Sequence, residues 1–215
     1  RAGDVIPKIT KVIEKKSTNK VKVSAPEICL SCKRKVSYFE EKIIFSMDDA
    51  IDLNCFSRHQ FQESMDHFVS KAAFNIDGLG TKNIELFIEK GLLKQNEDIF
   101  RLTINNLEPL PGFAEKSAHK LISSIKRSMD ISLSRFIYAL GIKEVGEVTS
   151  MNLAAEYKSI ENLFFPSPDR LVEINDIGEV VAKNISIFFS DKKVIKKIKM
   201  MQDLGVNITH QEQIS

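Results

Sequence analysis

The chain has 215 residues, of which 43% are hydrophobic, and this suits a folded protein of one large domain or a few small ones. No apolar run approaches the roughly 18 residues of a membrane span, and the first residues lack a signal-peptide layout, so we expect no membrane partner. The formal net charge of +2 excludes the strongly basic footprint of many nucleic-acid binders. Because the chain begins at Arg1 and not at Met, we expect a piece of a longer protein.

Residues 1–25 carry strand signals and much of the positive charge. Seven basic residues stand against two acidic ones within residues 1–24. Pro7 restricts the first apolar stretch to a sheet edge or a bend, and Lys20-Val21-Lys22-Val23 alternates as a half-exposed strand does. Because two strands cannot bury a core alone, we predict that residues 1–25 are the last strands of a domain that begins earlier.

Residues 26–58 are predicted to form a small zinc-finger-like unit. Cys29 and Cys32 have the spacing of a metal knuckle, and Cys55 adds a third thiolate. This spacing favours metal ligands over a disulfide framework, and therefore a cytosolic protein. The alternative is a site that has lost its metal and is held by apolar residues. The candidates for a fourth ligand are His59, Asp48, Asp49 and Asp52.

Four similar short stretches recur later in the chain. Each has an apolar residue directly before a small residue, and the small residues are spaced by 34, 32 and 32 positions. A fixed period of this size is typical of a repeated supersecondary unit, and a helical pattern follows each stretch. The small residues are Gly80, Ala114, Gly146 and Gly178.

We interpret these stretches as tight turns that each open a helix, and they resemble the helix-hairpin-helix motif. Glycine tolerates positive φ, which is one expectation for Gly80, and it leaves the backbone uncovered. The first amides of a helix lack internal partners, so such a turn is suited to bind phosphate. The alternative is that the turns only connect packed helices.

The predicted fold is therefore mainly α. Residues 59–205 are predicted to be a helix-hairpin-helix domain with four hairpins, and residues 206–215 a linker towards an absent C-terminal domain. Five lysines within residues 192–199 lie along a closing helix. For that charge run, a solvated helix face is favoured over a contact with DNA.

Several groups of residues match one known family. Arg1-Ala2-Gly3-Asp4-Val5-Ile6-Pro7-Lys8 looks like the end of an OB domain, and Cys29, Cys32 and Cys55 resemble a four-cysteine zinc finger. Ile76-Asp77-Gly78-Leu79-Gly80 resembles the entry into a helix-hairpin-helix domain. In this order, these features resemble bacterial NAD-dependent DNA ligases over almost the whole chain. The resemblance implies a β remnant of an OB fold, the zinc-finger-like unit and then four hairpins.

The chain departs from the family pattern at two places. The third zinc cysteine of the family should fall near Met47, where no cysteine stands, so zinc would occupy one site with an incomplete cysteine set. Asp176 lies where glycine is common, and we expect the fourth hairpin to bind phosphate poorly.

The resemblance implies the DNA-gripping part of a ligase used in DNA replication and repair. The family's chemistry needs a Lys-x-Asp-Gly motif, whose nearest match here, Asn75-Ile76-Asp77-Gly78, has no lysine. We therefore expect this chain alone to be inactive, with NAD and Mg²⁺ used by the full-length enzyme and not bound here. The expected partner is nicked double-stranded DNA, bound by a monomer in the cytoplasm, associated with the nucleoid of a bacterium.

The hairpins are expected to hold backbone phosphates on both sides of a nick, independently of sequence. Two lysines follow the small residues by two positions and could add charge. The expected DNA-binding residues are Gly78, Gly80, Lys82, Gly112, Ala114, Lys116 and Gly146. Two competing functions are a non-catalytic DNA-repair module, such as a junction-binding or nuclease-tethering domain, and a scaffold whose repeats bind protein.

The cysteine pattern predicts at most one zinc ion per chain, held by Cys29, Cys32 and Cys55 with a non-cysteine ligand or water. Because thiolate ligation couples metal binding to folding, a chelator should loosen residues 26–58 more than the repeats. Elemental analysis of carefully purified protein measures the zinc content directly. A protein without zinc would reject the site.

Overall fold

The computed structural model describes residues 37–39, 42–46 and 58–210, and the chain divides into two compact units between residues 50 and 51. In the first unit, strands β1 (Ser37–Phe39) and β2 (Lys42–Ser46) pair antiparallel with an irregular register. The predicted OB strands in residues 1–25 lie outside the described residues. The same holds for Cys29, Cys32 and Cys55, so the zinc site stays a prediction.

The second unit is mainly helical, as predicted, and contains nine α-helices within residues 58–210. Two short 3-10 helices, Asn96–Arg101 and Glu161–Leu163, lie between them. None of the described helices is long and apolar enough to cross a lipid bilayer. The helices are α1 (Arg58–Val69), α2 (Thr81–Glu89), α3 (Ile104–Leu107), α4 (Glu115–Ser128), α5 (Leu133–Ala139), α6 (Glu147–Tyr157), α7 (Pro168–Val172), α8 (Glu179–Ser190) and α9 (Lys192–Asp203).

The four repeats form four helix-hairpin-helix units, which pair α1 with α2, α3 with α4, α5 with α6, and α7 with α8. The small residues aligned in the sequence are the N-caps of the second helix in each unit. The residues four and seven positions after each N-cap are all buried, which is why the sequence shows a helical period there. They are Ile84, Phe87, Ala118, Leu121, Ser150, Leu153, Ala182 and Ile185.

One continuous hydrophobic core joins all four units. Phe74 lies at a junction of this core, with ring centroids 4.5 Å from Phe68, 5.1 Å from Phe100 and 6.0 Å from Phe136. These rings come from α1, the turn after it, the first 3-10 helix and α5. Offset and edge-to-face packing of this kind adds about 0.5–1.5 kcal/mol per aromatic pair to the burial itself.

The sequence predicts a helix from Gln60 to Phe74, but α1 ends earlier, at Val69. Residues 70–74 form a turn in which the Phe74 amide donates to the Phe68 carbonyl at 3.1 Å, and this places the Phe74 ring in the core. Asn75 then adopts a left-handed φ of 53°. Burial of Phe74 outweighs the helical preference of the residues before it.

The last described strand of the helical unit pairs with a strand from the middle of its sequence. Strand β4 (Asn207–Thr209) pairs in parallel with β3 (Asp130–Ser132), which lies between α4 and α5. The Asn207 amide donates to the Met129 carbonyl at 2.8 Å, and the Asn207 side chain donates to Asp130 Oδ1 at 2.9 Å. Val206 is buried, so the predicted linker over residues 206–215 begins inside the folded unit.

Candidate nucleic-acid interface

The four hairpin turns, residues 76–79, 110–113, 142–145 and 174–177, share one backbone geometry. In each turn, the amide of the last residue donates to the carbonyl of the first, at distances between 3.0 and 3.4 Å. The third residue has a left-handed φ, which a four-residue turn of type II requires. These residues are Gly78 (φ +86°), Gly112 (φ +84°), Glu144 (φ +62°) and Asp176 (φ +63°).

The N-cap residues that follow the turns are in extended conformation, with φ between −105° and −84°. The expectation of a positive φ at Gly80 is therefore wrong, because the turn places that conformation at Gly78. An added Cβ at Gly80 would meet no atom within 4 Å. Ala114 carries a side chain at the equivalent position, so the N-cap does not require glycine for its backbone.

The amides of the turns differ in how far they are available. Among the described residues, no acceptor bonds the amides of Gly78, Gly80, Gly112 and Gly146. The Ala114 amide already donates to Ser117 Oγ at 2.8 Å. Four of the five glycine and alanine amides expected to hold phosphate are thus donors without an acceptor in the described part of the chain, two of them in the turns and two at the N-caps of α2 and α6.

The first and second turns line a common groove of about 710 Å³, which brings Gly78 and Gly112 together. Helix α4 supplies Lys120 and Arg127 to the same groove, against one carboxylate from Asp77. Lys82 and Lys116 are exposed two residues after the N-caps of α2 and α4. The first two hairpins therefore combine free amides with a positive helix face.

Lys120 and Arg127 were not among the DNA-binding residues expected from the sequence. The signal was present, because Lys116, Lys120 and Arg127 are spaced by four and seven positions, and this spacing puts side chains on one face of a helix. A search limited to the turns does not include residues so far along the helix.

The third and fourth turns have a different character. Their left-handed positions hold Glu144 and Asp176, where the first two turns have glycine. At the position of the two lysines they carry Val148 and Val180, which are 57% and 69% exposed. Asp176 was expected to weaken phosphate binding at the fourth hairpin. Glu144 places an equivalent carboxylate near Gly146 in the third hairpin, and this was not expected from the sequence. An anion there would meet neutral amides beside the carboxylates of Glu144 and Asp176, with no lysine two residues after the N-cap.

His67 stands beside Phe68 on a helix, and such a lone histidine is predicted to be a structural residue and not a ligand. His67 lies 2.8 Å from the Tyr138 carbonyl through Nε2, and its ring packs against the Tyr138 ring at 4.6 Å, as expected for a structural histidine. Within the described part of the chain, no three His, Cys, Asp or Glu side chains are grouped to hold a metal ion.

Comparisons with known proteins match both pairs of hairpins. A SAM-like helix-hairpin-helix tandem matches residues 71–127, and a helix-hairpin-helix motif matches residues 135–198. The chain is 36% identical over 207 residues to a DNA ligase of Shewanella frigidimarina, covering 96% of this chain and 30% of that protein. It is 40% identical over 223 residues to a DNA ligase of Rickettsia akari, covering 95% and 32%.

A DNA ligase of Blochmanniella pennsylvanica is 38% identical over 209 residues, covering 97% of this chain and 34% of the relative. The chain thus spans about a third of the length of the curated relatives it matches. The similarity extends over residues 1–57 as well as over the hairpins, because nearly the whole chain is aligned.

The turn geometry predicts that serine lowers the free energy of unfolding at Gly78 but not at Gly80. Gly78→Ser forces a side chain into a left-handed φ and should lower the free energy of unfolding by about 1–2 kcal/mol. Gly80→Ser should be neutral or slightly stabilising, because serine is a good N-cap in extended conformation and the site is open. Urea denaturation of both variants measures the difference. Equal losses would contradict the assigned turn.

Proposed function

Because the chain belongs to the DNA ligase family, we propose that it is the part of a bacterial ligase that grips nicked duplex DNA. The observation that carries this proposal is the groove between the first two turns. There, the free amides of Gly78 and Gly112 lie beside Lys120 and Arg127. Free amides at a helix start, together with cations, are suited to bind phosphate oxygens.

The proposed grip is independent of DNA sequence, because it reads the backbone and not the base edges. The first and second hairpins supply charge through Lys82 and Lys116 as well as amides. The third and fourth supply neutral amides, of which Gly146 is the proposed donor. The first pair should therefore contribute most of the electrostatic attraction, and the second pair should depend on fit.

The remaining steps of ligation are assigned to the full-length enzyme. We propose that NAD supplies AMP, with Mg²⁺, to a lysine in a Lys-x-Asp-Gly motif, which these 215 residues do not contain. No residue of the helical unit is proposed to hold either group. The zinc site at Cys29, Cys32 and Cys55, a monomeric state, and action at the nucleoid in DNA replication and repair belong to the same proposal.

Binding of nicked duplex should fall with salt and should not depend on base sequence. If roughly four phosphates are neutralised by cations, the slope of log K against log salt is about −3 to −4. Neutral amides release fewer counterions, so a shallower slope is compatible with the grip. Fluorescence anisotropy at a series of salt concentrations gives the slope. No binding to duplex at low salt, or no salt dependence, would overturn the proposal and favour a protein-binding scaffold.

Substitution of the N-cap glycines should weaken DNA binding in a defined order. Gly80→Val places a branched side chain over free amides and should weaken nicked-duplex binding about tenfold, the order expected for one lost hydrogen bond to a charged group. Gly178→Val should have less effect, because Asp176 already disfavours an anion at that turn. Anisotropy titrations compare the two variants at one salt concentration.

Both N-cap glycines have open surroundings and negative φ, so the two valine variants are matched for strain. Circular dichroism checks that both remain folded. Equal or reversed effects would show that the DNA-contacting hairpins are wrongly assigned. Neither variant nor the parent chain should seal a nick, with or without NAD, and sealing by the parent would refute its non-catalytic role.

A further inference from the structure

In the first two hairpins, a side chain of the second helix bonds the turn itself or the N-cap that follows it. Asn83, three residues after the N-cap of α2, donates through Nδ2 to the Gly78 carbonyl at 2.7 Å. Ser117, at the same position in α4, accepts from the Ala114 amide and donates to the Ala114 carbonyl, both at 2.8 Å. These bonds are all local, because each lies within one hairpin.

The third and fourth turns are also bonded crosswise, each by the helix of the other hairpin, while the third hairpin keeps a local bond in which Ser150 Oγ donates to the carbonyl of its N-cap Gly146 at 2.8 Å. Asn152 of α6 donates through Nδ2 to the Asn175 carbonyl of the fourth turn at 3.0 Å. Asn184 of α8 donates through Nδ2 to the Lys143 carbonyl of the third turn at 3.3 Å. The residues three after these N-caps, Thr149 and Val181, make no hydrogen bond to the turns within the described part of the chain.

The two bonds are equivalent by position. Asn152 and Asn184 each lie six residues after the N-cap of their helix, and each acceptor carbonyl lies three residues before the N-cap of the other helix. The hairpins are thus related by an approximate two-fold exchange. We call the pair of asparagines the cross-brace.

The cross-brace also engages one of the two carboxylates. Asn152 Nδ2 lies 3.3 Å from Asp176 Oδ2, in addition to its bond with the neighbouring carbonyl. Aspartate tolerates the left-handed φ at this position better than most residues. Asp176 therefore supplies the left-handed residue of the fourth turn, and Asn152 holds its side chain towards α6.

We propose that Asn152 and Asn184 are positioning residues, which hold the third and fourth turns at a fixed separation and so keep the Gly146 amide of the third hairpin in place for a DNA phosphate. This inference rests on the proposed function and identifies residues that act through the turns. The second hairpin pair has no lysines at its helix starts, so its hold on phosphate depends on amides that are already in place. Pre-ordered donors avoid the entropy cost of fixing them during binding.

The test compares Asn152→Ala and Asn184→Ala with Asn162→Ala. Asn162 is a matched control, because its Nδ2 also donates to a backbone carbonyl, that of Tyr157 at 2.7 Å, away from the turns. Each cross-brace variant should bind nicked duplex about three- to tenfold more weakly, which corresponds to the loss of about one hydrogen bond. Asn162→Ala should bind within about twofold of the parent chain, although it loses a similar bond.

The salt slope separates positioning from charge. Because neither asparagine carries a charge, affinity should fall at every salt concentration while the slope of log K against log salt stays that of the parent. A general loss of structure would weaken Asn162→Ala to the same degree. Equal weakening of all three variants, or parent-like binding by both cross-brace variants, would overturn the proposal.

Hydrogen exchange supplies a readout that does not need DNA. Asn152→Ala should speed exchange of the Ile177 amide, which is hydrogen-bonded in the fourth turn, and Asn184→Ala that of the Val145 amide in the third, so that each effect appears in the other hairpin. Asn152→Leu and Asn184→Leu keep the side-chain size without a donor, and replace any alanine variant that does not fold.

The two failures can be told apart. If the parent chain does not bind duplex at low salt, the proposed function is overturned, and the crosswise exchange pattern still decides whether the cross-brace fixes the turns. If the parent binds but exchange rises only in the helix that carries the substitution, the cross-brace is overturned and the proposed function stands.

Discussion

The interface depends on one constraint, which is that each hairpin turn packs apolar side chains against the core on both sides of its left-handed residue. In the third turn these are Ile142 and Val145, and in the first they are Ile76 and Leu79. With both anchors facing the core, the peptide groups between them must face solvent. The free amides at the turns are therefore a consequence of packing, and the left-handed residue is the backbone condition that makes the packing possible.

The shared core holds the four hairpin turns together, so that they form one surface. The Phe74 ring, packed against rings from α1, the first 3-10 helix and α5, joins the first hairpin pair to the second. Because the interior is close-packed, the hairpins cannot shift independently without opening gaps in it. Differences in chemistry between the pairs, with Lys82 and Lys116 on one and Val148 and Val180 on the other, are thus presented at fixed relative positions.

The repeats could be predicted from the sequence because their signals are local. A small N-cap, an apolar residue before it and buried residues four and seven positions later all lie within about ten residues, and the structure confirms these helices. What the sequence did not reveal depends on tertiary contacts. Phe74 ends α1 early because its ring joins a distant cluster, and Asn152 meets a turn 23 residues away. The left-handed φ was expected at Gly80, whereas the structure has it at Gly78. The aligned repeats already show Asp176 at the position equivalent to Gly78.

The parallel pairing of β3 and β4 decides how this unit carries mechanical load. The strands run side by side in register from Asp130 with Asn207 to Ser132 with Thr209. Tension between Thr209 and α4, which leads into the opposite end of β3, therefore acts on these strands in shear, so that the bonds between the strands share the load. The force reaches the junction between α4 and α5, midway between the two hairpin pairs, and bypasses the end of α9. Tension on β4 would therefore strain the junction between the two hairpin pairs before it unwound α9.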